Sequence, residues 1–192
     1  EVAQNAQTKD KAYIHWKKPT DTVAQGIAYG TALHAVMQFI RYEVCDSAQN
    51  VQKELERLVT EQFISREQAD AVDVQSIVRF FNTEIGAKAV NSNILREFKF
   101  TVLQDASAYF DNGGEDKVLL QGVVDLAILD EDGITVIDFK TDRVTADTLQ
   151  IVAQDYFPQV KAYSRALMEI YNLPVKQSLL YFFRTGEFIE VK

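Results

Sequence analysis

The 192-residue sequence carries one cysteine, Cys45. A lone thiol excludes an intramolecular disulfide, a four-cysteine zinc site and a protein-held iron–sulfur cluster, since each needs several sulfur ligands. It also points to a reducing, cytoplasmic setting. Long apolar runs are missing as well: no window approaches the roughly 20 apolar residues of a membrane span, and no charged-then-apolar leader opens the chain. No membrane partner is expected. Surplus positive charge is absent, because 28 Asp and Glu outnumber 20 Lys and Arg, for a net charge of −8. This argues against a protein that holds nucleic acid by charge alone, although a site that gathers carboxylates for metal ions also makes a domain acidic. Internal repeats and low-complexity segments are absent too. So is an initiator Met: the chain opens Glu1-Val2-Ala3 and is read as a domain cut from a longer polypeptide.

What remains is ample material for a core. At 47% hydrophobic and 11% aromatic residues, the chain can bury a substantial interior and is too apolar for disorder. Residues 1–25 read as a polar lead-in or linker with only Trp16 and its neighbours to bury, and 26–192 as a single domain. Its first part, 26–94, is mainly helical; 95–192 forms an α/β core. Leu33, Val36, Met37 and Ile40 recur at helical spacing after Gly30. Further helices are expected over 51–63, from Ser65 with a Gln68 capping box, and over 72–85. From Leu95 the period changes to two, giving strands over 95–103, 118–129 and 134–139, with turns at Asn112-Gly113-Gly114 and across Asp130 to Gly133. Three consecutive antiparallel strands result. A helix from Thr145 is expected to break near Pro158 and restart to about Tyr171, before strands over 177–183 and 188–191. The fold class is α/β, a central mixed sheet flanked by helices behind an N-terminal helical portion.

The chemistry concentrates on one hairpin. Asp138 and Lys140 lie two apart in a strand and share a face, while Ile137 and Phe139 point the other way. A Glu131-Asp132 loop pairs Asp125 with Asp138, and an Asp132-Gly133 loop pairs Asp125 with Lys140. Either register brings two carboxylates together on otherwise apolar strands, where they repel and lose hydration. A divalent cation resolves both costs. Mg²⁺ suits so sparse a ligand set because it retains waters and takes substrate phosphate oxygens; it would acidify water and clamp a phosphoryl group while Lys140 orients that water or stabilises charge. That chemistry is phosphodiester hydrolysis. On spacing alone, a surface hairpin with an exposed Asp/Lys ion pair fits equally well. His34 on an apolar stripe also fits a hydrogen-bonded core histidine, and Gln159 and Tyr163, four apart on one helix face, also fit a solvated pair.

Together and in order, Gly30-Thr31-Ala32-Leu33-His34, Gly122-Val123-Val124-Asp125, Asp138-Phe139-Lys140 and Gln159-Val160-Lys161-Ala162-Tyr163 resemble the RecB-type branch of the PD-(D/E)XK nucleases. The finer wording of Tyr29 to His34 and of Ile137 to Arg143 is similar to the C-terminal nuclease domains of the AddA (RexA) family, found in AddAB (RexAB) helicase-nucleases. The resemblance covers roughly 25–192 and implies a restriction-endonuclease-like core. It implies that His34, Asp125, Asp138 and the backbone carbonyl of Phe139 bind Mg²⁺ or Mn²⁺, with Asp125, Asp138 and Lys140 catalytic. Gln159 and Tyr163 would steady the site, Glu97 matches an acidic position on the family's first strand, and Thr141 and Arg143 could touch phosphate. An ion pair of Arg143 with Asp142 or Asp147 is the competing expectation. The implied partners are single-stranded DNA, a helicase portion of the same polypeptide that alone uses ATP, and an AddB/RexB-type protein. The implied activity is exonucleolytic, in double-strand-break repair by homologous recombination. Four-cysteine relatives, the AddB and Cas4 types, are excluded by Cys45 standing alone. A catalytically silent scaffold of the same fold is the alternative.

Overall fold

The computed structural model of the chain describes residues 24–110 and 114–192. The lead-in with Trp16 lies almost wholly outside the described residues, as do Asn112 and Gly113 of the expected turn. Among the described residues no helix is long and apolar enough to cross a membrane.

The chain runs α1 (Ala24–Phe39), α2 (Ala48–Thr60), α3 (Arg66–Ala71), α4 (Val74–Phe81) and α5 (Glu84–Val90). The strands β1 (Asn93–Asp105), β2 (Lys117–Asp130) and β3 (Gly133–Lys140) follow, then α6 (Ala146–Tyr171), β4 (Val175–Phe182) and β5 (Glu187–Glu190). The five strands form one sheet in sequence order. Neighbours are antiparallel except β3 and β4, which are parallel because α6 carries the chain back across one face.

Side chains alternate across the sheet and feed two cores. On one face Leu126, Ile128, Ile137, Phe139 and Tyr181 pack with Leu33, Val36, Met37 and the other buried positions of α1 to α5. On the other, Val136, Leu180 and Phe182 pack with Ala153, Val160, Tyr163 and Leu167 of α6. Removing such apolar surface from water, at roughly 25 cal/mol per Å², is what holds the layers together.

Two helical expectations need correction. The apolar pattern over 72–85 is two helices, because the Thr83 hydroxyl accepts the Gly86 amide at 3.0 Å and starts α5 afresh. The break at Pro158 does not occur: α6 runs unbroken for 26 residues with Pro158 inside it. Pro158 is exposed, so its ring and missing amide disturb only the solvent side, while the buried flanks Tyr156 and Val160 keep the helix on the sheet. Asn172 ends the helix in the left-handed conformation, φ 52°. The Ser65 capping box forms as expected.

Candidate active site

The hairpin turn between β2 and β3 is Glu131-Asp132, set by the pair Asp130↔Gly133, and pairing runs from there only to Leu126↔Ile137. Beyond that point β3 parts from β2, while β2 stays paired with β1 down to Lys117. Asp125 sits at the fork. Its Oδ2 accepts the amide of Phe139 at 2.7 Å, a carboxylate taking the place that a strand carbonyl would otherwise fill.

The same step is irregular in β1. Glu97 has φ +47°, a left-handed backbone that costs a non-glycine residue about 1–3 kcal/mol. The register on either side, Arg96↔Leu126 and Phe98↔Val124, sets Glu97 opposite Asp125. Both strands change face together here: Leu95 and Phe98, three apart, pack on the α6 side, and so do Val124 and Ala127. A regular strand would repeat every two residues. The switch costs no register, because neither strand makes it alone.

His34 reaches this step from α1. Arg96, beside Glu97, donates from Nη1 to the carbonyl of Ile40 at 2.6 Å and lies over the Tyr42 ring, fastening the end of α1 to β1. Near its middle α1 approaches the residue that follows β3 so closely that a Cβ on Gly30 would fall 2.9 Å from Thr141 Oγ1. One turn on from Gly30, His34 Nδ1 lies 3.2 Å from Glu97 Oε1 and 3.1 Å from Asp125 Oδ1. Burial alone would push the imidazole down in pKa, but the Asp125 and Glu97 carboxylates carry it up to about 10. Asp125 is likewise held below the usual carboxylate range: burial raises it, and the His34 charge and hydrogen bond outweigh that.

Asp138 and Lys140 project from β3 on its α6 side, following Val136. Asp138 Oδ2 is 2.5 Å from Lys140 Nζ, a close ion pair that engages this buried oxygen. Burial, then the neighbouring Asp125 charge, raise the Asp138 carboxyl against the pull of Lys140. Lys140 Nζ also lies 3.5 Å from Gln159 Oε1, and Gln159 Nε2 donates to the Tyr163 hydroxyl at 2.8 Å. Tyr163 in turn explains the glycine before Asp125. A Cβ on Gly122 would meet Tyr163 Cε1 at 2.6 Å and Phe100 Cζ at 2.7 Å, so its missing side chain is the space that the tyrosine ring fills.

The structure thus joins the four sequence segments at one place, with a distinction the sequence did not carry. The donors closest to one another are His34, Glu97 and Asp125, within 4.8 Å, while Asp138 is engaged with Lys140. Phe139 touches the site through its amide. Thr141 lies against Gly30, and Arg143 is exposed. Arg143 has no ion pair among those of the described residues, and the expected partner Asp142 instead accepts the Tyr156 hydroxyl. Tyr156 is the residue the sequence reading missed. Its ring lies beneath Lys140 Nζ, 3.7 Å from the centroid. The signal was present as Tyr156-x-x-Gln159-x-x-x-Tyr163, a single helix face. Burial, then the Asp142 charge, raise its phenol, which therefore keeps its proton and donates.

An imidazole and two clustered carboxylates, with the buried Asp138 carboxylate beside them, suit a hard or borderline divalent cation. The profile of the PD-(D/E)XK nuclease superfamily matches residues 6–190, and the chain belongs to that superfamily. Its members are nucleases that generally use a divalent metal. Among curated proteins, the chain is 35% identical over 170 residues to the A subunit of the ATP-dependent helicase/nuclease of Oceanobacillus iheyensis, covering 84% of this chain and 14% of that protein. It is 33% identical over 215 residues to the protein of the same name from Bacillus thuringiensis strain Al Hakam, covering 100% of this chain and 17% of that protein. For the Clostridium novyi protein of that name the identity is 30% over 186 residues, covering 92% and 15%. The chain therefore spans 14–17% of the length of these relatives.

Proposed function

We propose that this chain is the metal-dependent deoxyribonuclease domain of an AddA-type helicase-nuclease. It hydrolyses phosphodiester bonds of single-stranded DNA, exonucleolytically, as a motor elsewhere in the same polypeptide delivers the strand. The setting is cytoplasmic double-strand-break repair by homologous recombination, beside an AddB-type partner. The observation that carries this reading is the convergence of His34, Glu97, Asp125, Asp138 and Lys140 on the fork between β2 and β3. The relatives' shared name, which joins an ATP-dependent helicase to a nuclease, supports the motor and its ATP use outside this chain. The domain is 26–192, with its helical part over 26–94 and its catalytic core over 95–192.

His34, Glu97 and Asp125 would hold the cation, with Asp138 and the Phe139 carbonyl as the further candidate ligands. When bound, Mg²⁺ or Mn²⁺ supplies charge neutralisation at the phosphodiester and acidifies water. Lys140, held by Asp138 and Gln159, presents its ammonium to water or to the charge growing on phosphate. Gln159, itself bonded to Tyr163, reaches that ammonium, and Thr141 and the exposed Arg143 border the path of the DNA backbone. With a net charge of −8, the domain relies on local delivery rather than affinity. Alone it binds DNA weakly and cuts slowly, with a steep loss as salt rises.

The test is cleavage of end-labelled single-stranded DNA with Mg²⁺, Mn²⁺ or EDTA, comparing the chain with Asp138→Ala and Lys140→Ala proteins shown to be folded by circular dichroism. Metal-dependent cutting that both substitutions abolish is the expected result. Undiminished cutting by Lys140→Ala would overturn the assignment. Inactivity of every sample, even with the motor and the AddB-type partner present, would leave a silent scaffold.

A further inference from the structure

We propose that Tyr156 and Asp142 form a clamp that positions Lys140, an inference that rests on Lys140 being the catalytic lysine. Three groups surround the ammonium: the Asp138 carboxylate at 2.5 Å, the Gln159 carbonyl oxygen at 3.5 Å and the face of the Tyr156 ring, 3.7 Å to its centroid. The first two lie within reach of the polar centre of the site and are free to exchange partners when a cation or phosphate arrives. The ring is not. Tyr156 is buried, it belongs to the core between α6 and the sheet, and its hydroxyl donates to both oxygens of Asp142, at 2.9 and 3.0 Å.

The connection is also short. Asp142 stands two residues beyond Lys140 on the segment that leaves β3, and Tyr156 stands one turn before Gln159 on α6. One hydrogen-bonded pair therefore ties the end of the strand to the helix that carries the Gln159 and Tyr163 contacts. It sets the distance at which Lys140 meets the ring. An ammonium over an aromatic face is attracted by the ring quadrupole, most strongly where water is excluded, and Lys140 is 9% exposed. The ring therefore gives Lys140 a resting position that survives the loss of its other contacts. Tyr156 acts through Lys140 and is a positioning residue.

The experiment measures kcat and KM on single-stranded DNA for the chain, Tyr156→Phe, Tyr156→Leu and Asp142→Asn, with Lys140→Ala as the inactive control. It also measures how fast an amine-acylating reagent labels Lys140, read by peptide mass spectrometry, which needs no activity. Tyr156→Phe keeps the ring but loses the tie to Asp142, and it and Asp142→Asn are each expected to lose about threefold in kcat, whereas Tyr156→Leu loses about tenfold with KM unchanged. Tyr156→Leu should also speed Lys140 labelling several-fold, with Tyr156→Phe and Asp142→Asn between it and the parent. Unchanged labelling of Lys140 in Tyr156→Leu, or a Tyr156→Leu protein with the parent's kcat, would overturn the clamp. A Lys140→Ala protein as active as the parent would instead refute the catalytic lysine, and the labelling comparison would still decide the clamp.

Discussion

Replacing Gly122 by alanine puts a methyl group where a hydrogen was, and its effect can be worked from two rings. The new Cβ would lie 2.6 Å from Tyr163 Cε1 and 2.7 and 2.8 Å from two carbons of Phe100. Carbon atoms rest at about 3.5–4.0 Å, so the rings must withdraw by about 1 Å. They have little room, since Tyr163 and Phe100 are both buried and already meet edge to face at 5.5 Å. Overpacking of this kind costs about 1–3 kcal/mol, and the backbone entropy that alanine saves in a strand returns about 0.5–1 kcal/mol. A net loss centred on about 1 kcal/mol, and at most about 2.5, lowers the melting temperature of a domain this size by about 2–4 °C per kcal/mol. Activity should fall further than stability, because the Tyr163 hydroxyl accepts from Gln159, whose carbonyl reaches Lys140. A shift of about 1 Å passed along that chain is enough for a loss of about a hundredfold in kcat. Thermal unfolding followed by circular dichroism and the end-labelled DNA assay read the two effects separately. A Gly122→Ala protein with the parent's melting temperature and kcat would show that the space beside Gly122 is not what seats Tyr163.

Glu54 is almost wholly buried between Arg41 and Arg57, whose hydrogen bonds hold its carboxyl at about 2 against the upward push of burial. A depressed carboxyl stabilises the fold above its unfolded value of about 4.5, and that contribution, about 3 kcal/mol at most, disappears as pH falls toward 2; Glu54→Gln should be less stable in urea at pH 7 and converge with the parent in acid, and a constant difference across that range would contradict the account. Mg²⁺ or Mn²⁺ at tenfold over its dissociation constant should stabilise the chain by about 1.4 kcal/mol, roughly 3–6 °C, and Asp125→Ala should abolish the shift; the same shift in the variant would place the ion elsewhere. Burial, then the Glu54 charge, push the Cys45 thiol up to about 12, so a disulfide reagent at pH 8 should leave native protein unlabelled and react after unfolding, whereas prompt reaction of the native protein would refute its burial.

How much of this was legible in the sequence depends on how local each determinant is. Alternation along β3 put Asp138 and Lys140 on one face because a strand's period is a property of the strand itself, and the Ser65 capping box is equally self-contained. Thr83 was hidden because the apolar pattern runs through it without a change of period. Pro158 misled because its penalty is local, while the packing of Tyr156 and Val160 that overrides it comes from the sheet. The shared change of face at Glu97 and Asp125 left no trace in either strand alone, since it exists only in their pairing. Tyr156 was passed over because the hydrogen bond that gives it a role joins it to Asp142 across a strand end.

The site draws His34 from α1, Glu97 from β1, Asp125 from β2, Lys140 from β3 and Gln159 from α6, so no two of these residues come from the same element. Contacts that span so much chain form late, after long loops have closed, and during synthesis they wait until α6 has left the ribosome. The early helices and the β1–β2–β3 meander can take shape before that point, but the lysine has no helix to rest against until the sheet receives α6. A newly made or partly unfolded chain therefore carries every residue of the site while lacking their arrangement, which arrives only with completion of the fold.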